Sequence, residues 1–280
     1  MTIQATLDHP ASGRRLLLEA FRDEPRFASA TLLLVLAIIP TLFAMALDGR
    51  TLNGVSVWSK PLKFEVALAV YFGTLAWFAR WVSPEARASR GYRLFSGIVV
   101  SCVTAEMLWI VGAAAFGVAS HFNVASPLMA ALYGLMGLFA VTLTSAAPLY
   151  GVLIHRHRGN GLNPTLRLAL TTGLGLTFVL TVLVAGFMAS GQSHLIGGNG
   201  SDAEGLAFMG WARDGGDLRV AHFFASHAMH VIPAFGLLVA MLGIKHGRAA
   251  VAAFSAAFIA FVVYVFAEAL LGQPFLAVVG

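Results

Sequence analysis

Charged side chains are scarce in this sequence. Only 11% of the 280 residues are Asp, Glu, Lys or Arg, whereas 58% are hydrophobic. Soluble domains carry about a quarter charged residues, so this scarcity excludes an ordinary soluble globular domain. The composition instead places most of the chain in lipid.

Cysteine and the common nucleotide-binding motifs are also nearly absent. Cys102 is the single cysteine, which excludes an intramolecular disulfide and a CxxC redox or zinc pair. No P-loop, dinucleotide-binding glycine pattern or nucleophile elbow occurs in a suitable context. The last apolar segment has no lysine, so a retinal Schiff base is excluded there.

Long apolar segments are what the sequence has in abundance. A helix needs about 20 apolar residues to cross a bilayer. Seven segments qualify, and they predict an all-α polytopic membrane helix bundle with seven transmembrane helices. The segments are 27–47, 61–82, 93–117, 127–153, 165–189, 220–243 and 250–275. We expect residues 27–280 to form one transmembrane domain with a long outer loop at 190–218, preceded by an amphipathic cytoplasmic segment at 1–26.

The positive charges between the apolar segments indicate the orientation of the bundle. The formal net charge is +5, but Arg and Lys lie in short tracts beside apolar runs, which argues against a nucleic-acid partner. These tracts occupy the N-terminus and the loops after the second, fourth and sixth spans. The positive-inside rule then predicts a cytoplasmic N-terminus and a periplasmic C-terminus in a bacterial inner membrane. The expected partners are the lipid bilayer and a small molecule or ion, and a homo-oligomer is an open alternative.

Residues 217–233 concentrate polar groups in the first half of the sixth span. At 100° per residue, Arg219, His222 and His230 fall on one side of the helix, with His227 about 80° from Arg219. Polar groups are unfavourable in hydrocarbon, so we expect this side to face the bundle interior. Imidazole suits zinc, copper and iron, which makes His222, His227 and His230 candidate metal ligands.

Three carboxylates lie within other spans: Glu65 in the second, Glu106 in the third and Glu268 in the seventh. A lone charged carboxylate is disfavoured in hydrocarbon, so each should be protonated or meet a cation. The histidines are candidate partners for Glu106 and Glu268, and the lysines that open the second span are candidates for Glu65. Together with Arg219, the three glutamates are candidate catalytic groups.

These residues predict a polar site in the periplasmic half of the bundle. We expect it to bind a transition metal ion (Zn, Cu or Fe) or a haem and to perform redox or metal-assisted chemistry. His121, on an outer loop, and His222 are candidate cofactor ligands. A proton-coupled transporter or channel that uses the same residues as titrating groups is the alternative, favoured by a faint repeat between spans 1–3 and 5–7. A sensor or assembly protein without catalysis is a third interpretation.

Three short motifs give the chain a resemblance to other proteins. They are KPLKF at 60–64, SHFN at 120–123 and GDLRVAHF at 216–223 followed by His227. In this combination the chain resembles a group of uncharacterised bacterial multi-pass membrane proteins, from the second span to the sixth. The resemblance implies a membrane location and no particular reaction. His230 stands where the group is expected to have glutamine, which argues against an essential role for that side chain.

Overall fold

The computed structural model describes residues 13–191 and 193–276, so residues 1–12 of the predicted N-terminal segment, residue 192 and the last four residues lie outside the description. The described residues form an all-α bundle with seven helices long and apolar enough to cross a membrane. The spans are Pro25–Leu47, Ser59–Trp81, Arg90–Phe116, Pro127–Arg156, Pro164–Gly191, Leu218–Met241 and Gly247–Leu270. The prediction of seven spans is therefore confirmed, with the largest boundary difference at the end of the seventh.

A short helix, Gly13–Asp23, precedes the first span, and the predicted amphipathic segment is helical in its described part. It packs against the first and second spans, while Leu17 and Leu18 keep more than half of their surface exposed. Pro25 then begins the first span, as the fixed backbone angle of proline favours at the first turn of a helix. A second short helix, Pro84–Ala88, joins the second span to the third.

The spans pack as two groups of three. The first three contact one another, and the last three contact one another, with the fifth and sixth in the most extensive contact. The fourth span touches both groups and is broken near Ser145 into Pro127–Thr144 and Ala146–Arg156. The fourth span, together with a buried core that Met229 of the sixth span shares with Phe72 of the second, joins the two groups.

Small residues allow the fifth and sixth spans to approach closely. A Cβ added at Gly173 would lie 2.8 Å from the carbonyl oxygen of Ala228 and 2.9 Å from Cδ of Pro233. Thr177 Oγ1 accepts a hydrogen bond from the backbone N–H of Met229 at 2.8 Å, four residues before the proline. The glycine and the hydroxyl thus accommodate the sixth span where Pro233 interrupts its backbone hydrogen bonds.

The two ends of the bundle differ. The end that carries residues 13–24, 82–89, 157–163 and 242–246 is called the N-terminal face, and the other end is called the loop face. Two antiparallel pairs of two-residue strands order the loop face. Thr51–Leu52 pairs with Val55–Ser56, and Leu195–Ile196 pairs with Gly216–Asp217. The second pair delivers Asp217 to the start of the sixth span.

Candidate functional site

A buried aspartate–arginine pair fixes the long loop to the sixth span. Asp217 is the N-cap, and its carboxylate accepts the backbone N–H groups of Arg219 and Ala212, each at 2.9 Å. The Arg219 guanidinium donates to Asp217 Oδ2 at 2.6 Å and to the Gly210 carbonyl at 2.7 Å. Arg219, a predicted catalytic residue, therefore lies at the loop face, and its Nε and Nη2 hold the loop.

Asp202 extends this contact into the loop. Its Oδ1 accepts a hydrogen bond from Arg219 Nη2 at 2.7 Å and lies 3.2 Å from His194 Nε2. Burial alone would raise the pKa of Asp202, but the His194 hydrogen bond and the Arg219 charge outweigh burial and hold it below its usual value. The His194 ring is 6.3 Å from that of Phe122, so the loop after the third span joins the same assembly.

Lys60 lies at the start of the second span, close to this assembly. Its ammonium makes no hydrogen bond or salt bridge among the described residues, and its Nζ lies 5.8 Å from the centroid of the Phe64 ring. Arg219, Asp202 and Glu106 are the charged groups that act on it electrostatically. A partly buried ammonium in this position can donate to an anionic or carbonyl group.

Glu106 in the third span is nearly inaccessible, with 3% of its surface exposed. No hydrogen bond or salt bridge joins its carboxyl group to another described side chain, and Lys60 is the cation whose charge reaches it. A carboxyl group isolated at this depth is a candidate for proton exchange, because its charge would otherwise be poorly solvated.

His121 lies beside Lys60 on the loop after the third span. Its ring is 5.8 Å from that of Phe64 and 6.0 Å from that of Tyr133, and its Nδ1 is 3.2 Å from Ser120 Oγ. Burial, and then the positive charge of Lys60, lower the pKa of His121 to about 3. The imidazole is therefore neutral near pH 7. Lys60, Glu106 and His121 are called the lysine cluster below.

His227 and His230 form a second group, called the imidazole pair, with ring centroids 5.3 Å apart. His227 Nδ1 lies 2.7 Å from the carbonyl oxygen of Phe223, so this nitrogen carries the proton and donates. Its Nε2 then holds the lone pair, and no described group binds it. The ring also stacks on Phe223 at 4.0 Å, which fixes its orientation.

The hydrogen bonds of His230 assign its tautomer in the same way. Thr74 Oγ1 donates its one proton to the carbonyl oxygen of Val70 at 2.8 Å. It must therefore accept from His230 Nε2, which is 3.0 Å away. The remaining nitrogen, His230 Nδ1, is buried and has no hydrogen-bond partner. Each member of the imidazole pair thus keeps one lone pair that no described group uses.

The imidazole pair lies in the middle of the sixth span. At 1.5 Å per residue, His227 and His230 are about 14 and 18 Å along the sixth span from Leu218. The bond to Thr74 reaches the second span and so connects the last group of spans to the first. His222 lies nearer the loop face, and its Nδ1 is also buried without a partner. Its electrostatic neighbour is His227.

The other two predicted carboxylates lie elsewhere. Glu65 faces the first span, where its Oε1 accepts a hydrogen bond from Thr41 Oγ1 at 2.6 Å. Its partner is thus a threonine and neither of the nearby lysines. Glu268 lines a cavity of about 10 Å³ with Asp217 and Gln273, on the side of the sixth span that packs against the seventh. No described contact connects either carboxylate to the imidazole pair.

The structure therefore distributes five of the eight predicted residues over three groups, and His222, Glu65 and Glu268 belong to none of these. Arg219 belongs to the loop anchor, Glu106 and His121 to the lysine cluster, and His227 and His230 to the imidazole pair. Lys60 and Thr74 were not among the predicted site residues. Lys60 carried a signal, because a lysine at the start of a span lies near hydrocarbon. Thr74 carried none, since a helical threonine commonly bonds to its own backbone.

Among the residues that the structure describes, no group of three or more His, Cys, Asp or Glu side chains is arranged to hold a metal ion. The imidazole pair is a set of two. No protein-family model matches the chain, and no curated protein or solved structure is significantly similar to it. Arguments about function therefore depend on the geometry of this chain alone.

Proposed function

We propose that the chain binds a transition metal ion through the imidazole pair and uses it for redox or metal-assisted chemistry. The observation that supports this proposal is the pair of unused lone pairs, on His227 Nε2 and His230 Nδ1. A buried imidazole nitrogen with no hydrogen-bond partner, such as His230 Nδ1, is unfavourable unless something binds it. Zinc, copper and iron are the ions that imidazole suits best.

The spacing of the two rings agrees with binding to one ion. Metal–nitrogen bonds of about 2.0–2.1 Å and a tetrahedral angle place the centroids of two imidazoles on one zinc ion about 5.2 Å apart. The rings of His227 and His230 are 5.3 Å apart. The spacing favours an ion over a haem held by both residues, because a porphyrin between two side chains one turn apart would overlap the helix backbone.

Two protein ligands leave coordination positions open for a substrate or for water. An open position is what distinguishes a catalytic metal site from a closed structural one. The lysine cluster lies toward the loop face from the pair. It offers an ammonium, a neutral imidazole and a buried carboxyl group, which can bind an anionic or carbonyl-bearing small molecule and exchange protons with it.

We further propose that the chain lies in a bacterial inner membrane with the loop face toward the periplasm. The arginine tracts at the N-terminal face support this orientation. A reporter enzyme that is active only in the periplasm, fused after residue 276, should be active. The same reporter fused in the loop at 157–163 should be inactive, and the reverse pattern would contradict the orientation.

A cobalt titration of the purified protein tests the metal proposal. Cobalt(II) bound by nitrogen ligands in tetrahedral geometry absorbs visible light strongly, whereas hydrated cobalt does not. We expect saturation near one ion per chain in the wild type and loss of the absorption in H227A and H230A. H246A is the matched control, because His246 is exposed at the N-terminal face. Equal absorption in all four proteins would reject the proposal.

Proton-coupled transport is a second candidate, and one observation favours it. The lysine cluster belongs to the first group of spans and the imidazole pair to the last, and the His230–Thr74 bond is a described polar contact between the second and sixth spans. Rocking of two helix groups around a central polar site is a common transport mechanism. Proton flux into proteoliposomes should then fall in E106Q and H227A, and unchanged flux would exclude this function.

A further inference from the structure

A cleft of about 390 Å³ opens at the N-terminal face, far from both the lysine cluster and the imidazole pair. Its walls come from four segments: the end of the N-terminal helix, the start of the first span, the short helix Pro84–Ala88 and the start of the third span. These segments lie where the spans begin, at the level of the lipid headgroups. The cleft therefore opens to the region that lipid phosphates occupy.

Arginines dominate the charge of this cleft. Arg22, Arg26, Arg87 and Arg93 line it, and the described acidic residues of its lining are Asp23 and Glu24. Four guanidinium groups against two carboxyl groups leave a net charge of +2 with both acids ionised. Arginine recognises phosphate well, because its planar donors match the phosphate oxygens.

The two acidic residues are already occupied by other partners. Asp23 forms salt bridges with Arg22 at 3.0 Å and with Arg87 at 3.1 Å. Glu24 is 1% exposed and accepts a hydrogen bond from the Tyr92 hydroxyl, which also lies 2.6 Å from that of Tyr150. Burial raises the pKa of Glu24 despite the Tyr92 hydrogen bond and the nearby Arg26. Glu24 thus turns toward the core and repels an anion in the cleft only weakly.

Three arginines keep unused donors. The guanidinium of Arg93 makes no hydrogen bond or ion pair with the described residues, and Arg87 Nε is buried without a partner. Arg26 has one long hydrogen bond, from Nη1 to Ser96 Oγ at 3.4 Å. A buried guanidinium donor without an acceptor is unfavourable, so an anion with several oxygens would be stabilised here.

We propose that this cleft binds the phosphate group of an anionic phospholipid headgroup. Free phosphate offers the same oxygens, but two features favour the lipid. The cleft lies at the ends of the spans, and the adjacent N-terminal helix exposes Leu17 and Leu18, which suits insertion between acyl chains. Basic pockets between transmembrane helices are typical sites for anionic lipid headgroups.

Thermal unfolding in lipid nanodiscs tests the proposal. The full chain is placed in phosphatidylcholine discs with and without phosphatidylglycerol, and the unfolding midpoint is measured. We expect phosphatidylglycerol to raise the midpoint of the wild type, and R26Q/R93Q to lose more than half of this increase. R93Q alone should lose a smaller part, and it breaks no described hydrogen bond or ion pair, so it reports binding even if the double variant folds poorly.

R90Q is the matched control, because Arg90 is exposed on the same helical turn and does not line the cleft. It should keep the full increase. An increase of equal size in wild type and both cleft variants would overturn the proposal. An increase produced by inorganic phosphate alone in phosphatidylcholine discs would overturn the assignment to a lipid and identify a soluble phosphate instead.

Discussion

Two aspartate–arginine pairs at the loop face have nearly the same geometry and different burial. In each, the arginine follows the aspartate by two residues and donates both its backbone N–H and its guanidinium to the carboxylate. The shortest contacts are 2.6 Å in Asp217–Arg219 and 2.7 Å in Asp48–Arg50. The side chain of Asp217 is 0% exposed, whereas that of Asp48 is 21% exposed and that of Arg50 is 51% exposed.

Burial decides what removal of each negative charge should do. In D217N the asparagine oxygen can still accept the backbone N–H of Arg219 and so cap the helix. The partly buried guanidinium of Arg219, however, loses its closest negative charge and retains only the ion pair with Asp202. Removing one member of a buried pair costs about 3–5 kcal/mol, and the remaining Asp202 contact places the expected loss near 3 kcal/mol. That loss corresponds to an unfolding midpoint lower by about 5–10 °C. In D48N we expect no measurable change, because water and salt screen an exposed pair.

The assay is thermal unfolding of the purified variants in one detergent, followed by circular dichroism. Proteolysis within 197–215 should also become faster in D217N, because Arg219 holds this segment through Gly210 and Asp202. Similar midpoints for D217N and D48N would refute the inference that burial gives the Asp217 pair its importance. Unchanged proteolysis would refute the role of Arg219 as the loop anchor.

Two further predictions follow from the packing and the electrostatics. The pKa of His121 is about 3 in the folded protein, below its ordinary 6.5, so its contribution to stability is complete above pH 6.5 and is lost progressively as pH falls toward 3. H121Q should therefore reduce the drop in unfolding midpoint between pH 7 and pH 5, and an equal drop would contradict the pKa. G173A should destabilise the protein by about 1–3 kcal/mol, because the added methyl group would overlap the sixth span. G175A is the control, because a methyl group there meets nothing within 4 Å. Equal thermal unfolding midpoints for the two variants would contradict the close contact at Gly173.

The fold was predictable because its main signal is local. Each span is an apolar run of sufficient length, and the polar tracts between runs set the limits within a few residues. Asp217 before an apolar helix is a recognisable N-cap, so the start of the sixth span could also be read from the sequence. Gly173 and Gly175 are two small residues of the same span, but of these two only Gly173 meets the sixth span. Helix rotation makes that difference, and the local sequence does not specify it.

The site was less predictable because its contacts join different helices. Helical periodicity placed His222, His227 and His230 on the interior side, but it could not pair His230 with Thr74 or Glu65 with Thr41. Those partners depend on how the second span is rotated against its neighbours. The sequence also placed Glu268 of the seventh span with the histidines, because both lie at a similar depth. In the structure Glu268 instead lines a small cavity where the sixth and seventh spans pack together.

The metal content of the protein tests the central claim most directly. The chain is purified from membranes with an affinity tag that contains no histidine. The bound metals are then quantified by inductively coupled plasma mass spectrometry. We predict about one zinc, copper or iron ion per chain in the wild type and in H246A, and almost none in H227A/H230A. Absence of metal from the wild type, or an equal content in H227A/H230A, would contradict the proposed metal site.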